Sequence, residues 1–453
     1  MKVNINKYYS DMDKLKLGTL ENGLSYYIYD NAAEGDVIRI SLVVKVGSLM
    51  EEDSQAGIAH FIEHMCIYNS NFVYTNEDNI EVKKNSLMSG YTNFEETVYF
   101  LNCQIEELKY RLVAFRDIIT GRNLVMSSMN EIKEELRLEI ITESKTSKFR
   151  LQQIILPELV GIKQLKDKFP LGSLKCVQDL SFESVQRFHN KWYKPENSAV
   201  FIVGSIEKCK AKALLEEIFS TIERSNSSYV KPSFKSNISS SKVLMNTVHN
   251  LKYDEMQLYY LKPSLRYNSI NDLKSKITDY FGLTLIEKYI KEVLMINEID
   301  FISLAFVSER LLSEMNFNVL ELKVKEGLFK KAECVFNIII KELASHGLSE
   351  KQFIKYKQNF IYELTEYYRQ NKVVSNKEIA KECVSNYLFN EPLISVNHEY
   401  NLCCSIVQEL QLKDFNILIE KILKNENLLL SFNSKEDLFE SKDKFERILN
   451  FNQ

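Results

Sequence analysis

The sequence predicts an α+β protein of two units, each a mostly antiparallel β-sheet packed with α-helices, and three observations carry that expectation. Short β-rich segments alternate with amphipathic helical stretches in both halves of the chain. The longest Ser/Asn/Pro-rich stretch, residues 225–241, divides the 453 residues nearly equally. That length also exceeds what one ordinary core accommodates. The units are expected at 1–228 and 229–453.

The elements follow in order. Leu20 to Tyr29 reads as a hairpin about Asn22-Gly23. A β segment from Val37 to Val46 ends at Gly47, and an acidic loop, Glu51 to Ser54, delivers the chain to a short helix at Ala56–Met65. A helical piece near Ile80 to Met88 precedes a β segment from Tyr91 to Leu101. Ser128 with Glu131 reads as a capping box opening a helix to Glu143, with Ile132, Leu136 and Ile140 as its apolar stripe. A helix from Phe182 to Trp192, a strand from Ser198 to Gly204 and a helix from about Glu207 to Ile222 complete the first half. The second half offers a strand at Met256–Leu261, a long helix from Asn271, and strands at Ile299–Phe306 and Phe317–Val324. A helix ending at His346-Gly347, another capped by Ser349-x-x-Gln352 and a last strand at Leu428–Phe432 follow.

Composition narrows the function. Hydrophobic residues at 45% and charged residues at 26% are ordinary for a globular chain. The net charge of -4 arises from 58 basic and 62 acidic residues spread along the chain, so no basic stripe tracks a phosphate backbone and nucleic acid is excluded as a partner. The first residues form no apolar secretory core, and no run of about 18 apolar residues occurs; no membrane insertion and a cytoplasmic location are expected. Eight cysteines without C-x-x-C spacing read as reduced thiols.

The chemistry concentrates in one helical turn. His60 and His64 lie four apart, hence on one helix face, with Glu63 beside them. A lone histidine on an apolar face is usually packed core, and the isolated His249, His346 and His398 read as structural or solvent-facing rather than as ligands. Two imidazoles and a carboxylate in His-x-x-Glu-His order instead match a Zn2+ site, in which Glu63 is the general base rather than a ligand. A further carboxylate is available on the helix ending at Glu143. Glu139 and Glu143 fall on or beside its apolar stripe, whereas Glu134 points away. A carboxylate buried there needs a partner, and a metal ion is one. The strand from Tyr91 either takes an extended peptide as an added strand or is an ordinary interior strand.

These residues resemble the pitrilysin/insulinase family of zinc peptidases (M16), in its smaller branch containing the mitochondrial processing peptidases. Gly57 to Met65 resembles the family's inverted zinc motif with its neighbours. Ser89-Gly90-Tyr91-Thr92, running into Val98-Tyr99-Phe100, resembles its substrate-binding edge strand, with Ser89-Gly90 standing for the customary Asn-Ala. Tyr193-x-Pro195-x-Asn197, running into Ile202-Val203-Gly204, is similar to the strand that closes its domain. The resemblance implies two homologous domains, the first zinc-bearing and the second inactive, and one Zn2+ per chain in an endopeptidase acting on extended or unfolded peptides. It implies Glu139, followed by Ile140, as third ligand, with Glu143 in reserve. The family's supporting glutamate, seven residues before the ligand, falls on Ile132, so Glu131 or Glu135 takes its place.

One departure shapes the partner expected. Where relatives carry an arginine and a tyrosine that hold the substrate carbonyl, this chain has Lys291 and Phe301. Phenylalanine donates no hydrogen bond, and lysine lacks the guanidinium fork. The resemblance therefore implies the zinc-bearing half of a heterodimer whose homologous partner supplies that pair, with maturation of a small peptide as one use. A homodimer fits less well. A non-catalytic peptide-binding or assembly subunit of the same fold is the alternative.

Overall fold

The computed structural model describes residues 13–70, 72–74, 80–82, 88–225, 242–264, 270–371, 373–423 and 428–436. In the first half, strands β1 (Leu15–Thr19) and β2 (Ser25–Asp30) form the expected hairpin, and β3 (Ile38–Val44) leads to α1 (Ile58–Ser70). The small pair β4 (Phe72–Tyr74) and β5 (Ile80–Val82), then β6 (Ser89–Thr92) and β7 (Thr97–Cys103), come next. Helices α2 (Leu108–Thr120), α3 (Met129–Glu143), α4 (Ser147–Val160), α5 (Leu174–Asp179) and α6 (Phe182–Trp192) precede β8 (Ser198–Gly204) and α7 (Lys208–Phe219). The second half runs β9 (Lys242–Thr247), β10 (Asp254–Pro263), α8 (Ile270–Ile296), β11 (Phe301–Leu312) and β12 (Met315–Val324). It ends with α9 (Phe329–His346), α10 (Glu350–Gln370), α11 (Asn376–Phe389), α12 (Val396–Glu409), α13 (Leu412–Leu423) and β13 (Leu428–Ser434).

The strand orders are β1-β2-β8-β3-β7-β6 and β9-β13-β10-β12-β11. Leaving β1 aside, each sheet reads first, fifth, second, fourth, third in chain order. In each the first and fifth strands pair in parallel, β2 with β8 and β9 with β13, and the other neighbours are antiparallel. One wiring is used twice, in mixed sheets that are mostly antiparallel as expected. The expected boundary at 228/229 lies outside the described residues.

Period-two alternation distributes the side chains. Ile40, Leu42, Val200, Ile202 and Tyr99 point to the core that contains α1, while Val43, Val98, Phe201 and Val203 point to the opposite face. That second face is covered by α11 from the other half, through Ile379, Ala380 and Cys383. Asn376, 2% exposed, holds the junction: its side chain donates to the Val37 carbonyl (2.8 Å), accepts from the Asn31 amide (2.8 Å), and its backbone N–H donates to Glu34 (2.8 Å).

Four local expectations are corrected. Ile80–Val82 is strand, not helix, because the alternating Ile-Glu-Val pairs antiparallel with Phe72–Tyr74; residues 83–87 lie outside the described set. The single β segment from Tyr91 to Leu101 is two strands. A turn at Asn93–Glu96 separates them, closed by Asn93 N–H to Glu96 O (2.8 Å) and tied down by Ser48 and Leu49 amides. Only β6 is therefore at the sheet edge, and β7 is interior. Ser128 adopts helical dihedrals and donates its hydroxyl to Val125 O (2.9 Å), so no capping box with Glu131 forms. Strand β9 was not expected; its Lys/Asn-containing sequence earns its place through the parallel pairing with β13. The Ser349/Gln352 capping box is present.

The start of α1 is fixed by a residue that reads as solvated in the sequence. Glu51 is 5% exposed, and its carboxylate accepts from the N–H groups of Gly57 (2.9 Å) and Ala59 (3.0 Å). These are donors the first helical turn cannot satisfy itself. Burial pushes Glu51 up to about 8, opposed by the two amides and Lys168. Gly57 has φ +102° and packs on Gly172, whose φ is +77°; a Cβ on Gly172 would lie 2.4 Å from Gly57 Cα. The two glycines let the 169–173 loop close directly over the helix start.

Both contacts are testable by urea denaturation. Asn376→Ala removes one of the two hydrogen bonds of the buried Asn31 amide and the donor to the Val37 carbonyl, and should lower stability by about 2 kcal/mol. Glu51→Ala removes a helix cap and should cost about 1–2 kcal/mol. Lys377→Ala, exposed beside Asn376, should stay within about 0.5 kcal/mol of the parent.

Candidate metal centre

Helix α1 packs against β6, β7 and α3, and four of its residues' neighbours define the site. The helical repeat sets His60 and His64 with ring centroids 4.6 Å apart, near perpendicular at 82°, and their Nε2 atoms 3.0 Å apart. From α3, the Glu139 carboxylate reaches both: Oε1 is 3.6 Å from His60 Nε2, and Oε2 is 3.3 Å from His64 Nε2. One ligand atom from each of the three residues falls within 4.8 Å of the others, the one such group among the described residues. Two imidazole nitrogens and a carboxylate oxygen converging on one point, partly shielded from solvent, fit a divalent ion of the zinc type with a coordination position left open.

The phase of α3 decides which acid arrives. Ile132, Leu136 and Ile140 are buried, and Glu139 follows on the side facing α1. Glu143, one turn on, is exposed and lines the cavity between the two halves instead. Glu135 lies 3.2 Å from His64 Nδ1, the ring nitrogen turned away from the cluster, and so fixes that ring's tautomer and orientation. Glu131 is exposed and makes no such contact. Of the two candidates for the supporting glutamate, the structure brings in Glu135.

Glu63 is 3% exposed, and its Oε2 accepts from the Thr92 hydroxyl at 2.8 Å. Gly90 makes room for it: a Cβ there would sit 2.9 Å from Glu63 Oε1 and 2.8 Å from Val98 O. Of the expected edge-strand residues, Ser89 and Tyr91 are exposed, while Gly90 and Thr92 turn towards Glu63.

Burial dominates the electrostatics. It pushes Glu63 up to about 7, opposed by His64 and Thr92 and reinforced by Glu139 and Glu135. It pushes His60 down to about 4, with His64 adding to the effect and Glu139 and the Leu171 carbonyl opposing it. His64 also feels burial, but the carboxylates of Glu139, Glu63 and Glu135 outweigh it and draw that ring upward. Glu139 is held low by its hydrogen bond from His64, against burial. A carboxyl set near neutrality beside two converging imidazoles is the setting of a general base next to a metal.

Sequence reasoning missed the groups beneath this layer. The Tyr99 and Tyr193 hydroxyls share a fully buried hydrogen bond of 2.8 Å close to Glu63. The Leu171 backbone lies near His60, whose Nδ1 has no hydrogen-bond partner among the described residues, on the loop that the Gly57–Gly172 approach brings over the helix start. Neither carries a local signal, because each depends on residues about 90 to 110 apart in the chain.

Comparison with known proteins places the chain in a family. Residues 26–166 match the family model described as insulinase (peptidase family M16), and residues 179–360 match the peptidase M16 inactive domain. The chain is 23% identical over 433 residues to a probable zinc protease, PqqL, of Escherichia coli, covering 92% of this chain and 45% of that protein. It is 23% identical over 206 residues to the zinc protease PqqE of Helicobacter pylori, covering 45% and 46%. The solved first half of the periplasmic protease PqqL from E. coli superposes with a TM-score of 0.84 at 19% identity, over 97% of this chain and 96% of that one. The chain thus spans about half the length of the PqqL relatives it matches. Two family models in tandem, over a twice-used wiring with a His-His-Glu cluster in the first copy, make this chain a member of the insulinase family of peptidases, M16.

Proposed function

We propose that this chain is the zinc-bearing part of an endopeptidase that hydrolyses extended peptides. The observation that carries the reading is the convergence of His60, His64 and Glu139 beside Glu63, itself anchored to the outermost strand of the sheet by Thr92. His60, His64 and Glu139 would hold one Zn2+. When bound, it supplies Lewis acidity towards a peptide carbonyl and makes water acidic. Glu63 takes a proton from the attacking water and returns it to the leaving amine, while Thr92 holds the carboxylate in place. Glu135 steadies His64 from behind. The peptide lies against β6, whose outer rail is unpaired among the described residues, and adds as a further strand bordered by Ser89 and Tyr91.

The substrate carbonyl needs donors, and neither Lys291 nor Phe301 is directed at the site among the described residues. Lys291 is exposed on α8, and Phe301 packs into the second core. Arg310 lines the cavity of about 850 Å³ between the halves, but it is committed to Glu391 at 2.6 Å and lies over the Phe389 ring at 4.0 Å. These placements, with the half-length match to PqqL, support a second homologous unit that supplies an arginine and a tyrosine. Maturation of a small peptide is one use consistent with an open edge strand.

Three measurements check this. Glu63→Gln should retain one zinc per chain by atomic absorption and lose hydrolysis of a quenched fluorogenic peptide by about 10²–10⁴-fold; unchanged hydrolysis would instead favour a non-catalytic subunit. Glu139→Gln should lose the metal while Glu143→Gln keeps it, and Glu135→Gln should weaken zinc binding about 10–100-fold with Glu131→Gln without effect. Adding the homologous second unit should raise the rate by about 10²-fold or more, as expected for restoring even one oxyanion donor. Full activity from the isolated chain would disprove the split site.

A further inference from the structure

The repeated wiring also repeats a place. In the first half the candidate metal centre lies where the helix after the second strand of the repeat (α1) meets the hairpin of the third and fourth strands (β6, β7) and the second helix beyond it (α3). The corresponding elements of the second half are α8, the β11–β12 hairpin and α10. Among them lies a cavity of about 600 Å³, also bordered by α12. Helix α8 carries no histidine or cysteine, so the chemistry there is different.

Its walls are aromatic: Tyr280 of α8, Phe306 of β11 and Phe360 of α10, with Tyr280 and Phe360 edge to face at 6.0 Å. The sheet contributes Asn318 of β12, which stands in register between Ser308 and Tyr260. Asn318 is 2% exposed, and neither its amide oxygen nor its amide nitrogen has a hydrogen-bond partner among the described residues. Buried amides are nearly always paired, because leaving donor and acceptor bare forfeits their hydration. Of the charged groups bordering the cavity, Lys262 pairs with Asp279 at 2.9 Å and Glu363 with Lys288 at 2.6 Å; Lys276, 3.7 Å from the Glu391 carboxylate that Arg310 also holds, and Glu399 are exposed at the rim, one charge of each sign.

We propose that this cavity binds a small, uncharged molecule with a flat aromatic body and an amide edge, one N–H beside one C=O, which pairs with Asn318. The aromatic walls take the body, and the volume suits a ligand of one or two fused rings. The absence of an uncompensated charge within the cavity selects a neutral occupant. The proposal does not depend on the peptidase reading, since it involves none of that site's residues.

The probe is 2-quinolinone, with N-methyl-2-quinolinone as the control that lacks the N–H. In calorimetric titrations of the full chain, 2-quinolinone should bind saturably and the N-methyl compound at least about tenfold more weakly. Asn318→Leu should weaken 2-quinolinone to the level of the control, and without probe it should melt no lower than the parent, because it replaces an unpaired amide with an apolar group. Ser308→Trp, introduced at an exposed rim position, should block both compounds, and Glu63→Gln should bind like the parent. Absence of saturable binding, equal binding of the two compounds, or binding indifferent to Asn318→Leu overturns the proposal. If Asn318→Leu fails to fold or melts lower, the amide serves the fold and the proposal also falls. Unchanged binding in Ser308→Trp overturns the placement independently.

Discussion

Placing two imidazoles on one helical turn inside an apolar core creates a problem that shapes everything around it. The Nε2 atoms of His60 and His64 face one another at 3.0 Å, and carboxylates from Glu63, Glu135 and Glu139 close in around them. Protonating both rings would bring like charges into contact, and leaving both neutral leaves the buried Glu63 and the partly buried Glu139 without a cation. A divalent ion held between the two Nε2 atoms and Glu139 would remove that conflict. The supporting structure is correspondingly rigid. Glu51 anchors the start of α1, the Gly57–Gly172 approach seals it, and the buried stripe of α3 sets the direction of Glu139.

The second copy of the wiring shows what this arrangement does not owe to the fold. Helix α8 occupies the place of α1 but has no imidazoles, and the cleft beside it is aromatic. The two sheets also treat their faces differently. The first is apolar on both, because α11 covers the side away from α1. The second has a helix-covered apolar face and, opposite, a hydrogen-bonded polar ladder: Asn246 to Asn433, Asn433 to Glu255 and Gln257, and Gln257 to Glu321. Burial raises Glu255 to about 7 there, with Glu321 reinforcing it. One backbone plan thus carries two unrelated sets of side chains.

What the sequence disclosed follows from the range of the forces involved. The His60–Glu63–His64 turn is local, since helical periodicity alone puts these groups together, whereas the apolar phase of α3 offers Glu139 and Glu143 alike and the family resemblance supplied the choice of Glu139. Most strands and long helices were legible for the same reason. The turn at Asn93–Glu96 was not, because it contains no glycine or proline and is held by amides of Ser48 and Leu49 from another segment. Glu51 looked like part of a solvated acidic loop, while its neighbour Asp53 is indeed exposed. Only the arrival of the helix start distinguishes the two. Likewise nothing near Asn376 announces that α11 crosses to the other sheet.

That crossing bears on how a peptide reaches the site. The main core is continuous from Ile58 and Phe61 of α1 through Tyr259, Phe317 and Leu429 of the second sheet. The hairpin tips touch as well, where the Ser313 N–H donates to Glu95 at 2.5 Å, and Lys242 bridges to Glu158 at 2.6 Å. With α11 fastened across the back of the first sheet, separating the halves would expose two apolar interfaces and break the buried Asn376 contacts simultaneously. The halves are therefore joined on two sides of the first sheet, and the cavity lies between surfaces held by both joints. On the proposed two-unit reading, opening and closing around a peptide at β6 would then fall between this body and the second unit, outside the fold of the two sheets.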